Sequence, residues 1–231
     1  MNQGFSILEL LVASAISIGI LSIVIMNISH SSSLSGRLVS QQQNLEALFH
    51  TVDTIKSDLS KCGMRMQDVA EKFAIEAFRP EEDGFAVRFG ISSTVLTESA
   101  AGGAVEIETT GDDFARPRKK VLLYSLEESV YEFNEIQSVS GNRVTLKKAL
   151  NNTYPETSPM IIIKEVSLRF YSRTGQLKRR LDNGNFQPLM DNVTDFASTY
   201  FPESRSVLYR IEINNREQVR GYIFLNNLVK P

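Results

Sequence analysis

Residues 5–28, FSILELLVASAISIGILSIVIMNI, form an apolar run that contains a single charge, Glu9. As a helix these 24 residues would be roughly 36 Å long at about 1.5 Å per residue, enough to cross a bilayer core of about 30 Å. The run is therefore a membrane segment first. A carboxylate in such a helix costs on the order of 2.5–3.5 kcal/mol at mid-bilayer and less near the interface, so Glu9 needs a partner.

The rest of the chain is of a different kind. The protein has 231 residues, 42% apolar and 23% charged, with a formal net charge of −2. Beyond residue 30 this describes an ordinary soluble domain long enough for one sizeable core. Near-neutral balance gives no global attraction to nucleic acid or to an acidic partner. Cys62 is the single cysteine, which excludes an internal disulfide and every multi-cysteine metal site. The leader Met1-Asn2-Gln3-Gly4 has no Lys or Arg, and the small-residue triplet Ala13-Ser14-Ala15 lies inside the apolar run rather than after it. A cleaved secretory signal fits this pattern poorly. A plain membrane anchor explains the length and hydropathy but leaves Glu9 without a reason.

The segment Gly4-Phe5-Ser6-Ile7-Leu8-Glu9-Leu10-Leu11-Val12-Ala13 resembles the class III signal of type IV prepilins and type II secretion pseudopilins. In that family a glycine precedes the cut, a phenylalanine follows it, and a glutamate stands four positions further on. The resemblance implies cleavage between Gly4 and Phe5 by a prepilin peptidase and N-methylation of Phe5. It also implies that Glu9 pairs with the terminal amine of a neighbouring subunit. The new amino terminus would lie about 6 Å along the helix axis from Glu9. The leader departs from the family pattern in lacking a basic residue, so the positive-inside bias encodes orientation weakly.

The helical signal continues past the apolar run. Leu34 and Leu38, then Leu45, Leu48, Val52, Ile55 and Leu59, recur at spacings of three and four with polar residues between them, an amphipathic stripe that predicts core packing against a following sheet. Pro80 is the first proline, and Gly63 after Lys61-Cys62 is the first firm stop signal, predicting a helix from about residue 5 to about 62. Ser31-Ser32-Ser33 and Gly36 are its expected weak points. Short alternating segments then predict strands at 85–89, 105–109, 121–126, 130–139, 143–147, 160–171, 176–180, 196–200, 207–213 and 219–224. Gly141-Asn142 and Thr174-Gly175 predict hairpin turns, and the glycine-rich stretch 97–113 predicts a surface loop. Helix first and strands afterwards predict an α+β fold.

Lower-specificity segments extend the resemblance. Ser138–Leu146, Lys164–Tyr171, Leu177–Arg180, Asp191–Phe196 and Phe224–Asn227 are similar in order and spacing to the large minor pilins of the PilW type, whose layout the J-type minor pseudopilins share. Abundant major pilins usually end in a disulfide-closed loop, which one cysteine cannot make. The length and the tail therefore favour a minor subunit. The fold this implies is pilin-like: a long N-terminal α-helix, half membrane and half amphipathic, packed on a C-terminal antiparallel β-sheet domain. Its parts are a leader (1–4), a transmembrane and assembly half of the helix (5–28), an amphipathic half (29–62) and a β-rich periplasmic domain (63–231).

The sequence offers no candidate catalytic residue. The sequence has no phosphate-cradling glycine loop, no His-Glu-x-x-His and no nucleophile elbow. His30 and His50 both fall on the helix, where solvated or packed histidines are the simpler reading. Cys62 with Met64 and Met66 reads as an apolar cluster at a helix end rather than a soft-metal site. Glu81-Glu82-Asp83 and Asp112-Asp113 lack the alternating oxygen spacing of a calcium loop. Two basic clusters remain, Arg116-Arg118-Lys119-Lys120 and Arg173 with Lys178-Arg179-Arg180. Without an aromatic ladder to stack bases, DNA is not the favoured partner, and charged edge strands explain both clusters.

The resemblance thus implies a non-enzymatic minor pilin-like subunit of a type IV pilus, with no cofactor and no metal. It would sit as a single-pass protein in the inner membrane, its C-terminal domain periplasmic, before assembly into the pilus. Its implied partners are other major and minor pilins or pseudopilins, the prepilin peptidase, the inner-membrane assembly platform and membrane lipid. The alternatives are a minor pseudopilin of a type II secretion system, or a membrane-anchored adhesin or DNA-uptake binding protein.

Overall fold

With no proline to interrupt it, the N-terminal part of the chain forms one continuous helix, α1 (Ile7–Ser60). The structure is a computed structural model and describes residues 7–111, 116–214 and 217–228. The chain divides into two units, the first ending at His50 and the second beginning at Thr51.

The first unit is a stretch of α1 in which Leu48 is buried. Its large apolar side chains from Leu11 to Ile28 are exposed, from 46% at Val24 to 76% at Met26. The hydroxyls within this greasy stretch turn inward to the backbone. Ser14 Oγ donates to the Leu11 carbonyl at 2.9 Å and Ser22 Oγ to the Ile18 carbonyl at 2.8 Å. These back-bonds satisfy a polar group without water. Ser33 Oγ does the same with the His30 carbonyl at 3.0 Å, and the helix runs unbroken through Ser31-Ser32-Ser33 and Gly36. The expected weak points therefore do not interrupt it.

Among the described residues the second unit carries the last turns of α1, a short helix α2 (Gln67–Phe73) and twelve strands. These are β1 (Phe78–Glu81), β2 (Gly84–Val95), β3 (Glu106–Glu108), β4 (Lys120–Ser125), β5 (Val130–Ser140), β6 (Arg143–Leu146), β7 (Pro159–Tyr171), β8 (Gln176–Leu181), β9 (Gln187–Met190), β10 (Val193–Phe201), β11 (Ser206–Ile213) and β12 (Glu217–Phe224). All pairings are antiparallel, in a nine-stranded sheet and a three-stranded one, β10-β11-β12. Each predicted strand overlaps one of these. Sequence reading missed β1, which contains Pro80 between charged residues, and β9, which contains Pro188. It also missed α2, whose seven residues span less than two turns.

β7 is the spine of the large sheet. One side pairs with β2 along most of its length; the other pairs with β4 from Met160 to Ile163 and with β8 from Val166 to Tyr171. The sheet thus forks at Lys164-Glu165. Where β4 and β7 run together both faces are buried, which explains their unbroken apolar runs. Val121, Leu123, Met160 and Ile162 face a core closed by β3, β5 and β6. Leu122, Ile161 and Ile163 face α2 through Met66, Val69 and Ile75.

Two expectations are corrected here. The stretch 97–113 is not simply a surface loop. Its described residues include β3, a bridge from Ala100 to Tyr154 and one from Leu96 to Thr109, and they bury Ile107 in the core. Gly102, Gly103, Glu98 and Glu106 are exposed and mark its outward side only. The amphipathic stripe is likewise covered in part: Ile55 and Leu59 are buried, but Leu34, Leu38 and Leu45 are 45%, 64% and 44% exposed. Apolar spacing marks a face of a helix; it does not say over how many turns the chain's own sheet covers that face.

The helix end is held by residues remote in sequence. Thr51 Oγ1 donates to the Leu189 carbonyl of β9 at 3.4 Å, and Asn227 Nδ2 caps the Ser60 carbonyl at 2.9 Å. α1 stops at Ser60, about two residues before the expected end, and Gly63 follows at φ 74° with its N–H donated to the Arg88 carbonyl at 3.0 Å. That left-handed turn favours glycine.

Candidate functional site

The residues that sequence reading singles out lie at the start of the chain. Gly4 and Phe5 lie outside the described residues, as does the leader. Glu9 lies on α1. What the structure adds is the helix that carries it, whose large apolar side chains from Leu11 to Ile28 are exposed. It is long and apolar enough to cross a membrane, and the β-rich unit follows it.

The second candidates, the basic clusters, are separated by the fold. In the C-terminal cluster, Arg179 donates Nε and Nη2 to the Asp58 carboxylate of α1 at 2.7 and 2.8 Å. Arg180 lies 4.7 Å from the Phe186 ring centroid and donates to Ser167 Oγ at 3.2 Å, and Lys178 lies 4.7 Å from the Tyr171 ring. Three of its four cations are thus engaged in holding the domain together. The edge-strand explanation fails for both clusters, because β8 lies between β7 and β9 and β4 between β7 and β5.

From the first cluster only Lys120 enters a cleft, and residues not grouped with it by sequence join it there. The fork at β7 opens a depression of about 380 Å³ lined by Arg88, Lys120, Lys147 and Lys148, by Glu135 and Glu165, and by Phe133, Asn134 and Ile163. Arg88 pairs with Glu165 at 2.9 Å and Lys147 with Glu135 at 3.0 Å. Burial pulls the Glu165 pKa up, but the bond and charge of Arg88, with Lys120 and Arg79 nearby, outweigh it and hold the carboxyl below its ordinary range. The one legible signal was Lys164-Glu165, a charged pair interrupting the apolar run of β7. The partners come from β2, β5 and the end of β6, and only strand pairing reveals them.

Cys62 is fully buried and its thiol donates to the Ala77 carbonyl at 3.2 Å; burial pushes its pKa up to about 12 against the opposing backbone bond of Arg88. Met66 is buried too, and Met64 is half-buried. His30 and His50 are exposed on α1. Glu81 pairs with Arg79 and Arg169, both at 3.1 Å, while Asp112-Asp113 lie outside the described residues. Among the described residues no three His, Cys, Asp or Glu side chains converge as metal ligands.

No protein-family model matches the chain, and no curated protein matches it. Among solved structures, the Gp54 tailspike of Acinetobacter baumannii bacteriophage AP22, in complex with A. baumannii capsular saccharide, is similar over 34% of this chain and 15% of its own length. The sequence identity is 18% and the TM-score 0.29.

Proposed function

We propose that this chain is a non-enzymatic, minor pilin-like subunit of a type IV pilus, held in the inner membrane by residues 5–28 before assembly. The observation that carries the reading is the apolar stretch of α1 from Leu11 to Ile28, whose large side chains are exposed, in a helix that runs unbroken to Ser60. Such a surface needs either lipid or neighbouring helices around it. A subunit that moves from the bilayer into a helix bundle exchanges one apolar environment for another. The exposed Leu34, Leu38 and Leu45 extend the surface available to neighbours beyond the membrane segment.

In this reading the prepilin peptidase cuts between Gly4 and Phe5, Phe5 is N-methylated, and Glu9 captures a neighbour's terminal amine. An unpaired charge in the bundle is costly, so this pair sets register. The test is the N-terminal mass of the mature protein from membranes. Phe5 with one added methyl group is expected; an intact Met1 terminus would refute the processing step. Glu9→Ala should still insert and still be cleaved but fail to enter filaments. Replacing residues 5–28 with an unrelated membrane helix separates this reading from a tethered adhesin, whose function such a swap would preserve.

A further inference from the structure

The cleft at the fork of β7 has a charge balance that the protein's own residues leave incomplete. Four cations line it against two carboxylates, and both carboxylates are already bonded, Glu165 to Arg88 and Glu135 to Lys147. The ammonium groups of Lys120 and Lys148 make no ion pair among the described residues. The depression thus carries two more cations than carboxylates.

The walls are fixed rather than loose. Asn134, nearly buried, accepts hydrogen bonds at Oδ1 from the Lys148 N–H at 3.2 Å and the Glu135 N–H at 2.9 Å, and donates Nδ2 to the Lys148 carbonyl at 2.9 Å. This pins the Lys147-Lys148 segment to β5. Arg88 is held from two sides, by Glu165 and by the Phe133 ring, whose centroid lies 5.1 Å from the guanidinium carbon. Phe133 remains 44% exposed and gives the cleft an apolar wall. A space of about 380 Å³ falls within the range of small-molecule sites, about 300–1,000 Å³.

We propose that this cleft binds a small organic anion, a phosphate or carboxylate group carried on an apolar body. Lys120 and Lys148 take the anionic head and Phe133 packs against the body. This does not depend on the pilin reading. Arg88 and Lys147 position the site through their carboxylate partners, and a cationic cleft with partly apolar walls concentrates such a ligand by its field.

The experiment uses the full chain in detergent, titrated calorimetrically at low ionic strength with phenyl phosphate, benzoate and inorganic phosphate. Phenyl phosphate or benzoate should bind at least about tenfold tighter than inorganic phosphate, a difference of about 1.4 kcal/mol; whichever binds tighter identifies the head group. Lys120→Gln with Lys148→Gln should weaken that binding by about tenfold or more with the circular dichroism unchanged. Phe133→Leu should narrow the gap between the organic ligand and inorganic phosphate. Undiminished binding by the double lysine variant would overturn the proposal, as would equal affinity for all three probes or no binding at all. An oligothymidylate that binds the cleft more tightly than phenyl phosphate, and loses affinity in the same double variant, would reassign it to nucleic acid and equally overturn it.

Discussion

Arg179 of β8 grips Asp58 of α1 through two parallel hydrogen bonds, Nε to Oδ2 at 2.7 Å and Nη2 to Oδ1 at 2.8 Å, with the Asp58 side chain only 5% exposed. The partners are 121 residues apart in sequence. Their contact ties the last turns of the helix to the sheet that follows.

Arg179→Met should destabilise the domain by about 3–5 kcal/mol, because it leaves the Asp58 carboxylate buried without its partner. Asp58→Leu combined with Arg179→Met should recover most of that loss, since the uncompensated charge goes with it. Denaturant unfolding of the two variants and the parent measures both; equal loss in the single and double variants would contradict the buried-charge account.

Tyr209 on β11 lies directly over Gly221 on β12, its register partner, and a methyl group at 221 would overlap the Tyr209 ring. Gly221→Ala should therefore destabilise by about 1–3 kcal/mol through overpacking, and Tyr209→Leu should relieve it in the double variant. The Tyr209 hydroxyl is buried and finds no hydrogen-bond partner among the described residues. Tyr209→Phe should thus be neutral or stabilising, read from the shift in unfolding midpoint.

Cys62 should be inert to a thiol reagent at about pH 8 in the native protein and react fully in concentrated urea. Burial raises its folded pKa to about 12. The neutral thiol therefore contributes stability that is fully present below the unfolded thiol pKa, about 8.5, and is lost as pH rises towards the folded value. Native-state reaction as fast as in urea would rule out the buried position.

Glu165 has the opposite linkage. Burial alone would raise its pKa, but Arg88, Lys120 and Arg79 hold it below the ordinary carboxyl range. Its contribution is present above the unfolded glutamate pKa, about 4.3, and is lost as pH falls through the lower folded value. Arg88→Leu should move the Glu165 titration upward, because burial remains while the strongest opposing charge is gone. Carbon-detected NMR titration of the carboxyl follows this; a lower pKa in Arg88→Leu would contradict it.

The strands were legible because their alternation and turn residues are local. Gly141-Asn142 and Thr174-Gly175 both turn where expected, between β5 and β6 and between β7 and β8. β1 and β9 were not, because Pro80 and Pro188 speak against a strand unless its place in the sheet is known. The cleft was illegible for a different reason. Arg88, Lys120, Lys148 and Glu165 come from four separate stretches of chain, and nothing in the spacing of one stretch records its partner across a sheet.

By itself the sequence determined that residues 5–28 are an apolar run with one acid, that a helical stripe follows, and that the remainder is β-rich. Each of these rests on periodicity or composition within a few turns of chain. Only the tertiary structure decided which residues of the apolar stripe are buried, among them Ile55 and Leu59 in the second unit. It alone turned the Lys178-Arg179-Arg180 run into internal struts and drew Lys120 and Lys148 to one cleft. Burial and charge pairing between distant residues depend on strand order and register, and these follow from the packing of the whole domain rather than from any one segment.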